Sequence, residues 1–240
     1  MSEIRASVAM AVYNGEKYIV EQIESILRCM SEKDELVISY DVSNDNTWNI
    51  ITDYAEKDKR IRVIANKNCG VQNNFTNAVM NCKGQYIFLS DQDDVWIGDK
   101  INIVVNMFEK TSSDLVVHNG YMTNSDLSFK EKTIFDIYGR YNNPYLNIIK
   151  CTFWGCCMAF RRDVVEYVCP FPTKAKVGHD LWIGILVGFN GKISRIEDCL
   201  IKHRLHEDNV TTDKRRPFHK ILNHRLNLIR LLFLRRKGRK

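Results

Sequence analysis

The feature that most constrains this chain is an apolar run that ends in acid. Tyr86-Ile87-Phe88-Leu89, introduced by Gly84, is followed directly by Ser90-Asp91-Gln92-Asp93-Asp94. A short, partly aromatic and β-branched run bounded in this way reads as a buried strand. Three carboxylates at its C-terminal end repel one another unless a cation lies between them. Hard oxygen ligands suit Mg2+ or Mn2+, so the pattern points to a divalent ion that carries a phosphorylated ligand. The plainer alternative is an acidic turn that leads into a helix, whose first residues favour Asp.

A chain of 240 residues, 45% hydrophobic and 27% charged, is long enough for one large soluble α/β domain. The N-terminus runs straight into a strand-like segment and shows no signal peptide. No apolar stretch approaches the roughly 20 residues that span a bilayer. The expected location is the cytoplasm, on the inner face of the plasma membrane. The eight cysteines form no C-x-x-C pair and no matching His spacing, and read as reduced, structural thiols. Charge is sharply divided. Residues 214–240 carry eleven Lys or Arg and no Asp or Glu; without them the net charge of +6 becomes −5. Acidic body and basic tail must meet different things.

Strand-like and helix-like segments alternate through the first half. Strands are expected at Ala6 to Val12, Glu35 to Ser39, Ile61 to Ile64, Tyr86 to Ser90 and Leu115 to His118. Helices are expected at Glu16 to Leu27, Thr47 to Tyr54, Asn73 to Met80 and Lys100 to Phe108. This alternation predicts an α/β fold, a largely parallel sheet with helices on both faces, with ligands beyond the C-terminal strand ends. Tyr13-Asn14-Gly15, Asp41-Val42-Ser43 and the acidic run fall at those ends. The second half is less regular: Lys150 to Arg161 is apolar around Gly155-Cys156-Cys157, and Gly178-His179-Asp180-Leu181-Trp182 opens a helix-like run.

In this order the segments resemble glycosyltransferase family 2, inverting enzymes with a GT-A fold. The matching pieces are Val8 to Gly15, Asp41 to Asp45, Asn68-Cys69-Gly70-Val71, Gly84 to Trp96, Gly178 to Trp182, and His203-Arg204-Leu205-His206-Glu207-Asp208-Asn209. The resemblance covers about residues 6 to 211, and the wording of the acidic run is similar to the branch that builds bacterial surface polysaccharides, many rhamnosyltransferases among them. It implies an inverting transfer from a nucleotide-diphosphate sugar, dTDP-rhamnose or a UDP-sugar, to a saccharide or lipid-linked acceptor.

The resemblance also implies roles. Asp93 matches the metal ligand and Asp91 its partner near the ribose and the ion. Asp41 matches the residue that bonds the pyrimidine, with Tyr13, Asn14 and Gln92 lining the nucleotide pocket. Asp180 matches the base that takes the acceptor proton, on the face opposite the leaving group. Trp96 and Trp182, with Gly155, Cys156 and His179 nearby, are expected at the sugar, and Arg204 with His206 at the diphosphate. Direct attack forms no covalent glycosyl-enzyme, so no nucleophile is assigned. Taken one by one, the plainer readings are favoured: Asp180 as a helix cap, Arg204 and His206 as surface residues, the tryptophans as core and Asp41 as a turn residue.

The family's Asp-Asp-Gly-Ser after the second strand is here Tyr40-Asp41-Val42-Ser43. A β-branched Val42 tolerates positive φ poorly, so an unchanged turn costs about 1–3 kcal/mol of strain. The competing reading is therefore a catalytically degenerate scaffold subunit of the same fold. A nucleotidyltransferase lacks support because no Gly-rich phosphate loop follows the first strand.

The boundary of the catalytic domain is set at residue 212, with 213–240 as a basic amphipathic helix. From Pro217 it places Phe218, Ile221, Leu222, Leu226, Ile229, Leu232 and Phe233 in one apolar arc, blunted by Arg225. Two readings stay open: an interfacial helix drawn to anionic lipid, and a helix packed partly on the catalytic domain. Nucleic acid is not an expected partner, since recognition motifs and interleaved aromatics are missing. The sequence leaves a dimer open.

Overall fold

The computed structural model describes residues 4–173, 177–207 and 218–237. It opens with β1 (Ala6–Val12), α1 (Ile19–Cys29), β2 (Asp34–Tyr40), α2 (Thr47–Lys57), β3 (Ile61–Ala65), α3 (Val71–Asn81) and β4 (Tyr86–Ser90). These strands pair in parallel in the order β3-β2-β1-β4. β1 is covered on both faces, which is why it reads as a continuous apolar run. Helix α1 turns Ile19, Ile23 and Ile26 inward as its periodicity predicts, although it begins three residues later than expected.

Register decides where the site lies. Met10 stands opposite Ser90 and Val12 opposite Tyr40, so the residues that follow all three strands emerge at one edge. Gly84 makes the approach of β4 feasible: a β-carbon there would lie 2.6 Å from the Ala6 carbonyl carbon.

The chain then forms β5 (Val95–Trp96), α4 (Lys100–Thr111), β6 (Leu115–Thr123), β7 (Phe129–Thr133), α5 (Ile134–Tyr138) and α6 (Pro144–Ile149). A 3-10 turn at Gly155–Cys157 leads into β8 (Met158–Arg161), then α7 (Val165–Val168), α8 (His179–Asn190) and β9 (Ile193–Arg204). Strand β8 runs antiparallel between β4 and β6, and β9 lies parallel to β6, giving the order β3-β2-β1-β4-β8-β6-β9-β5 with β7 on the side of β6. The expected α/β sheet with flanking helices is present, parallel through its first four strands and mixed beyond them. Strand β9, absent from the sequence reading, matters most for the site. β5 follows the acidic loop immediately and pairs with β9, Val95 opposite Lys202, so the acidic loop and the end of β9 are neighbours.

Helix α9 (Phe218–Lys237) packs on the body through Leu228, Leu231, Leu232 and Arg235, and Arg235 donates to the Cys169 carbonyl at 2.5 Å. Of the expected apolar arc, Leu232 joins the packed stripe, whereas Ile221, Leu226, Ile229 and Phe233 stay exposed, and Arg225 lies on the inner side. The expected domain boundary at 212 lies outside the described residues. No described helix is long and apolar enough to cross a membrane.

Candidate active site

The acidic loop is held from three directions. From below, Gln22 of α1 donates to Ser90 Oγ at 2.7 Å and to the Asp91 carbonyl at 3.0 Å. From the side, the Gln92 amide forms two bonds with the main chain of Tyr13: the Tyr13 N–H donates to Oε1 and Nε2 donates to the carbonyl, both at 2.8 Å. Gly15 permits this, since a β-carbon there would meet Gln92 Oε1 at 2.7 Å. From β9, Arg204 Nε donates to the Asp93 carbonyl at 2.9 Å.

The end where the sequence reading expects a nucleotide is a set of interlocked loops. Asn14, in the left-handed region at φ 46°, donates its N–H to Ser43 Oγ and accepts from the Asn44 N–H, each at 2.9 Å. Asp41 is buried and engaged within the protein: Oδ1 accepts from Asn66 Nδ2 at 2.6 Å and Oδ2 from the Gly70 N–H at 2.9 Å. It fastens the 66–70 segment to the end of β2. Val42 is 73% exposed and is not among the non-glycine residues with positive φ, so the strain expected there does not arise. Tyr40, in the place of an acid, accepts the Ser43 N–H with its hydroxyl at 2.9 Å. The loop has been rebuilt around the phenol.

The carboxylates differ in their surroundings. Asp93 Oδ2 lies 2.8 Å from His206 Nε2. Asp94 is fully buried; its Oδ1 accepts from His203 Nδ1 at 2.8 Å and from the Arg204 N–H at 3.0 Å, while Oδ2 has no hydrogen-bond partner among the described residues. Burial alone would lower His203, but the Asp94 carboxylate outweighs it and holds the imidazole well above its usual range. Asp91 is pushed up to about 8 by desolvation and then by the negative charges of Asp94 and Asp93, with Asp180 adding to them. Four carboxylates thus share one field at the end of β4.

Asp180 stands in the first turn of α8, half-buried, and accepts its neighbour Leu181's N–H at 2.7 Å. Gly178 makes room, because a β-carbon there would lie 2.3 Å from Asp180 Oδ1. His179 packs its ring 4.2 Å from that of Phe75, and burial lowers its basicity against the opposing pull of Asp180. Gly155 lets it fit: a β-carbon would come within 2.6 Å of His179 Nε2.

Three expectations need correction. Trp96 and Trp182 are each 2% exposed and offer no face to a sugar. Trp96 lies under the Lys100 ammonium, 3.9 Å from its ring centroid, and Trp182 Nε1 donates to the Val168 carbonyl at 2.8 Å. Cys156 is buried core, its Sγ 3.9 Å from His203 Nδ1. Arg204 is 3% exposed and is bonded to the Asp93 and Ser125 carbonyls and to Glu21, so it braces the acidic loop and does not reach out toward a diphosphate.

Sequence reasoning missed Glu21, Gln22, Lys100 and His203. Gln22 left a signal, as a polar residue inside the apolar stripe of α1. Lys100 left none: its ammonium is buried, donates to the Cys156 carbonyl at 3.0 Å and is lowered to about 8 by desolvation.

The donor set fits a hard divalent ion. Asp93 and His206 present a carboxylate oxygen and an imidazole nitrogen to one point, and the negative field that raises Asp91 is one that a cation would relieve.

Comparison with known proteins agrees with this geometry. The family model for glycosyl transferase family 2 matches residues 7–169. An Escherichia coli UDP-Glc:α-D-GlcNAc-diphosphoundecaprenol β-1,3-glucosyltransferase, WfgD, is 26% identical over 221 residues, 89% of this chain and 82% of that protein. Among solved structures, Staphylococcus aureus TarS in complex with UDP-GlcNAc superposes with a TM-score of 0.74 at 18% identity, over 96% of this chain and 66% of the other. Mycobacterium tuberculosis glucosyl-3-phosphoglycerate synthase, solved with Mn2+, UDP and glucosyl-3-phosphoglycerate, gives 0.59 at 16% identity, over 96% and 79%. The chain spans from 25% to 82% of the length of related glycosyltransferases, so their whole-protein activities do not pass to it on similarity alone. The structural likenesses show the fold, which is GT-A. With two thirds of its length under one family model and the acidic loop inside the match, the chain belongs to glycosyl transferase family 2.

Proposed function

We propose that this chain transfers a sugar, with inversion, from a nucleotide-diphosphate donor to a saccharide or lipid-linked acceptor. The observation that carries this reading is the meeting of Asp91, Asp93 and His206 at the end of β4, in the field of Asp180. A Mn2+ or Mg2+ ion held by Asp93 and His206, with Asp91 beside it, would stabilise the charge that develops on the leaving diphosphate.

The chain's own residues do the rest. Asp180 accepts the proton of the attacking hydroxyl, and the backbone bond from Leu181 keeps its Oδ1 fixed. Asn14, Ser43 and the Asp41-anchored 66–70 segment form the bed for the nucleoside. Arg204 and Gln92 hold the acidic loop rigid, so little reorganisation is needed when charge moves.

Of the two donors expected from the sequence, dTDP-rhamnose and a UDP-sugar, the uridine donor is favoured, because relatives and neighbours are named for UDP-glucose and UDP-GlcNAc. The scaffold alternative loses its motive, since neither Tyr40 nor Val42 strains the loop. The test is thermal unfolding with UDP, dTDP and GDP, each with and without Mn2+. A rise with UDP that needs the ion supports the reading; at a hundredfold excess over Kd the gain is about 2.7 kcal/mol. No rise with any nucleotide would return the scaffold reading.

The acidic body acts on the donor, and the basic tail would hold the chain to the inner membrane surface where a lipid-linked acceptor lies.

A further inference from the structure

Helix α8 has two ends with different surroundings. Its first turn carries Asp180 and its last carries Phe189, nine residues on. At about 1.5 Å of rise per residue they stand roughly 14 Å apart along the axis. Phe189 is exposed and meets Tyr145 of α6 edge to face, ring centroids 5.2 Å apart. The two helices pack closely there, since a β-carbon at Gly188 would lie 3.1 Å from the Pro144 ring. Beyond Tyr145, α6 presents Leu146 and Ile149 to solvent, Ile149 at 75% exposure. Helix α9 adjoins this surface: Arg225 donates to the Ile149 carbonyl at 3.3 Å, and the next residue, Leu226, is exposed, as is Ile229 one turn on. The inward stripe of Leu228, Leu231 and Leu232 holds α9 in this orientation.

Single exposed apolar residues are ordinary, but a run of them across three helices marks an interaction surface. Charge says what covers it. Residues 214–240 bring eleven Lys or Arg and no acid, and the exposed Arg230 sits beside Ile229 on the same helix. A second copy of the chain would set two such stretches against each other, at a cost in repulsion. Apolar and aromatic side chains bordered by arginine are the composition of a bilayer interface. An anionic leaflet attracts such a border.

We propose that this α6–α8–α9 face rests on an anionic lipid bilayer, and that α8 sets Asp180 at a fixed height above it. The second half of this statement rests on the transferase reading: a saccharide carried on a lipid would then be delivered to the base from the membrane side.

The test is co-sedimentation of the full chain with phosphatidylcholine vesicles, with and without phosphatidylglycerol. The comparison variant is Ile149→Gln with Leu226→Gln, two exposed positions outside the site changed without altering charge, its folding checked by circular dichroism. The parent chain should bind only the anionic vesicles, and the double variant should bind at least about tenfold more weakly. Both should keep the same nucleotide-induced stabilisation. Equal vesicle binding by the two would show that charge alone acts, and would overturn the proposed face. So would failure to bind anionic vesicles, or a dimer in sedimentation equilibrium that the same substitutions dissolve. Vesicle binding is read without turnover, so its failure is distinct from a failure of transfer to a water-soluble acceptor.

Discussion

Asp93 Oδ2 and His206 Nε2 meet at 2.8 Å across 113 residues of chain, one from the loop after β4 and the other from just beyond β9. A carboxylate and an imidazole so placed share a proton or, in its stead, a metal ion. Asp93→Ala and His206→Ala should each abolish the Mn2+-dependent part of UDP stabilisation while the nucleotide-free unfolding temperature changes little. Thermal melts over a Mn2+ titration measure this, and an unaltered ion dependence in either variant would remove that residue as a ligand.

Asp180→Asn keeps the acceptor for the Leu181 N–H but cannot take a proton. Transfer should fall about 10²–10⁴-fold with nucleotide binding unchanged. Single-turnover sugar transfer beside a UDP melt separates the two effects.

Asp94 and His203 form a buried charged pair beneath the acidic loop. Asp94→Asn would leave the imidazole charge without its counterpart, at about 3 kcal/mol. Urea unfolding at neutral pH should show this as a lower midpoint with an unchanged slope.

Asp91 gives the ion-free protein a pH dependence of definite sign. Folded Asp91 keeps its proton to about 8, whereas the unfolded carboxyl loses it near its ordinary value of 3.8. Between those limits the native state binds more protons, so stability falls as pH rises. Asp91→Asn should remove that slope and raise stability at pH 8 by about 2 kcal/mol, a figure reduced for partial hydration. Unfolding in chelator at pH 5 and pH 8 is the comparison.

Gly155→Ala would drive a β-carbon to 2.6 Å from the His179 ring and displace the start of α8. A loss of about 1–3 kcal/mol is expected, with a larger loss in transfer, because Asp180 is the next residue. A melt and a rate assay on one preparation suffice.

The parallel half of the fold was legible because its strands are continuous apolar runs with caps and turns between them. Tyr86 to Ser90 was read to the residue. Strand β9 was not, since its charged residues and two register shifts against β6 erase any period of two. The acidic loop and Asp180 could be located from order along the chain. The work of Arg204 could not: only the pairing of β5 with β9 turns that side chain inward, to Asp93 and Glu21. The tryptophans show the reverse. As isolated residues Trp96 and Trp182 belong to the core, and that is where they are.

The two-pronged bond between Gln92 and the main chain of Tyr13 has a mechanical consequence. A side-chain amide is planar and sets an N–H donor beside a C=O acceptor, so Gln92 serves as one more rung of sheet past the point where β1 and β4 stop pairing. The loop after β1 and the loop that gathers the acids are thereby riveted into a single plate. A ligand that presses on one displaces both, so the two respond as one surface.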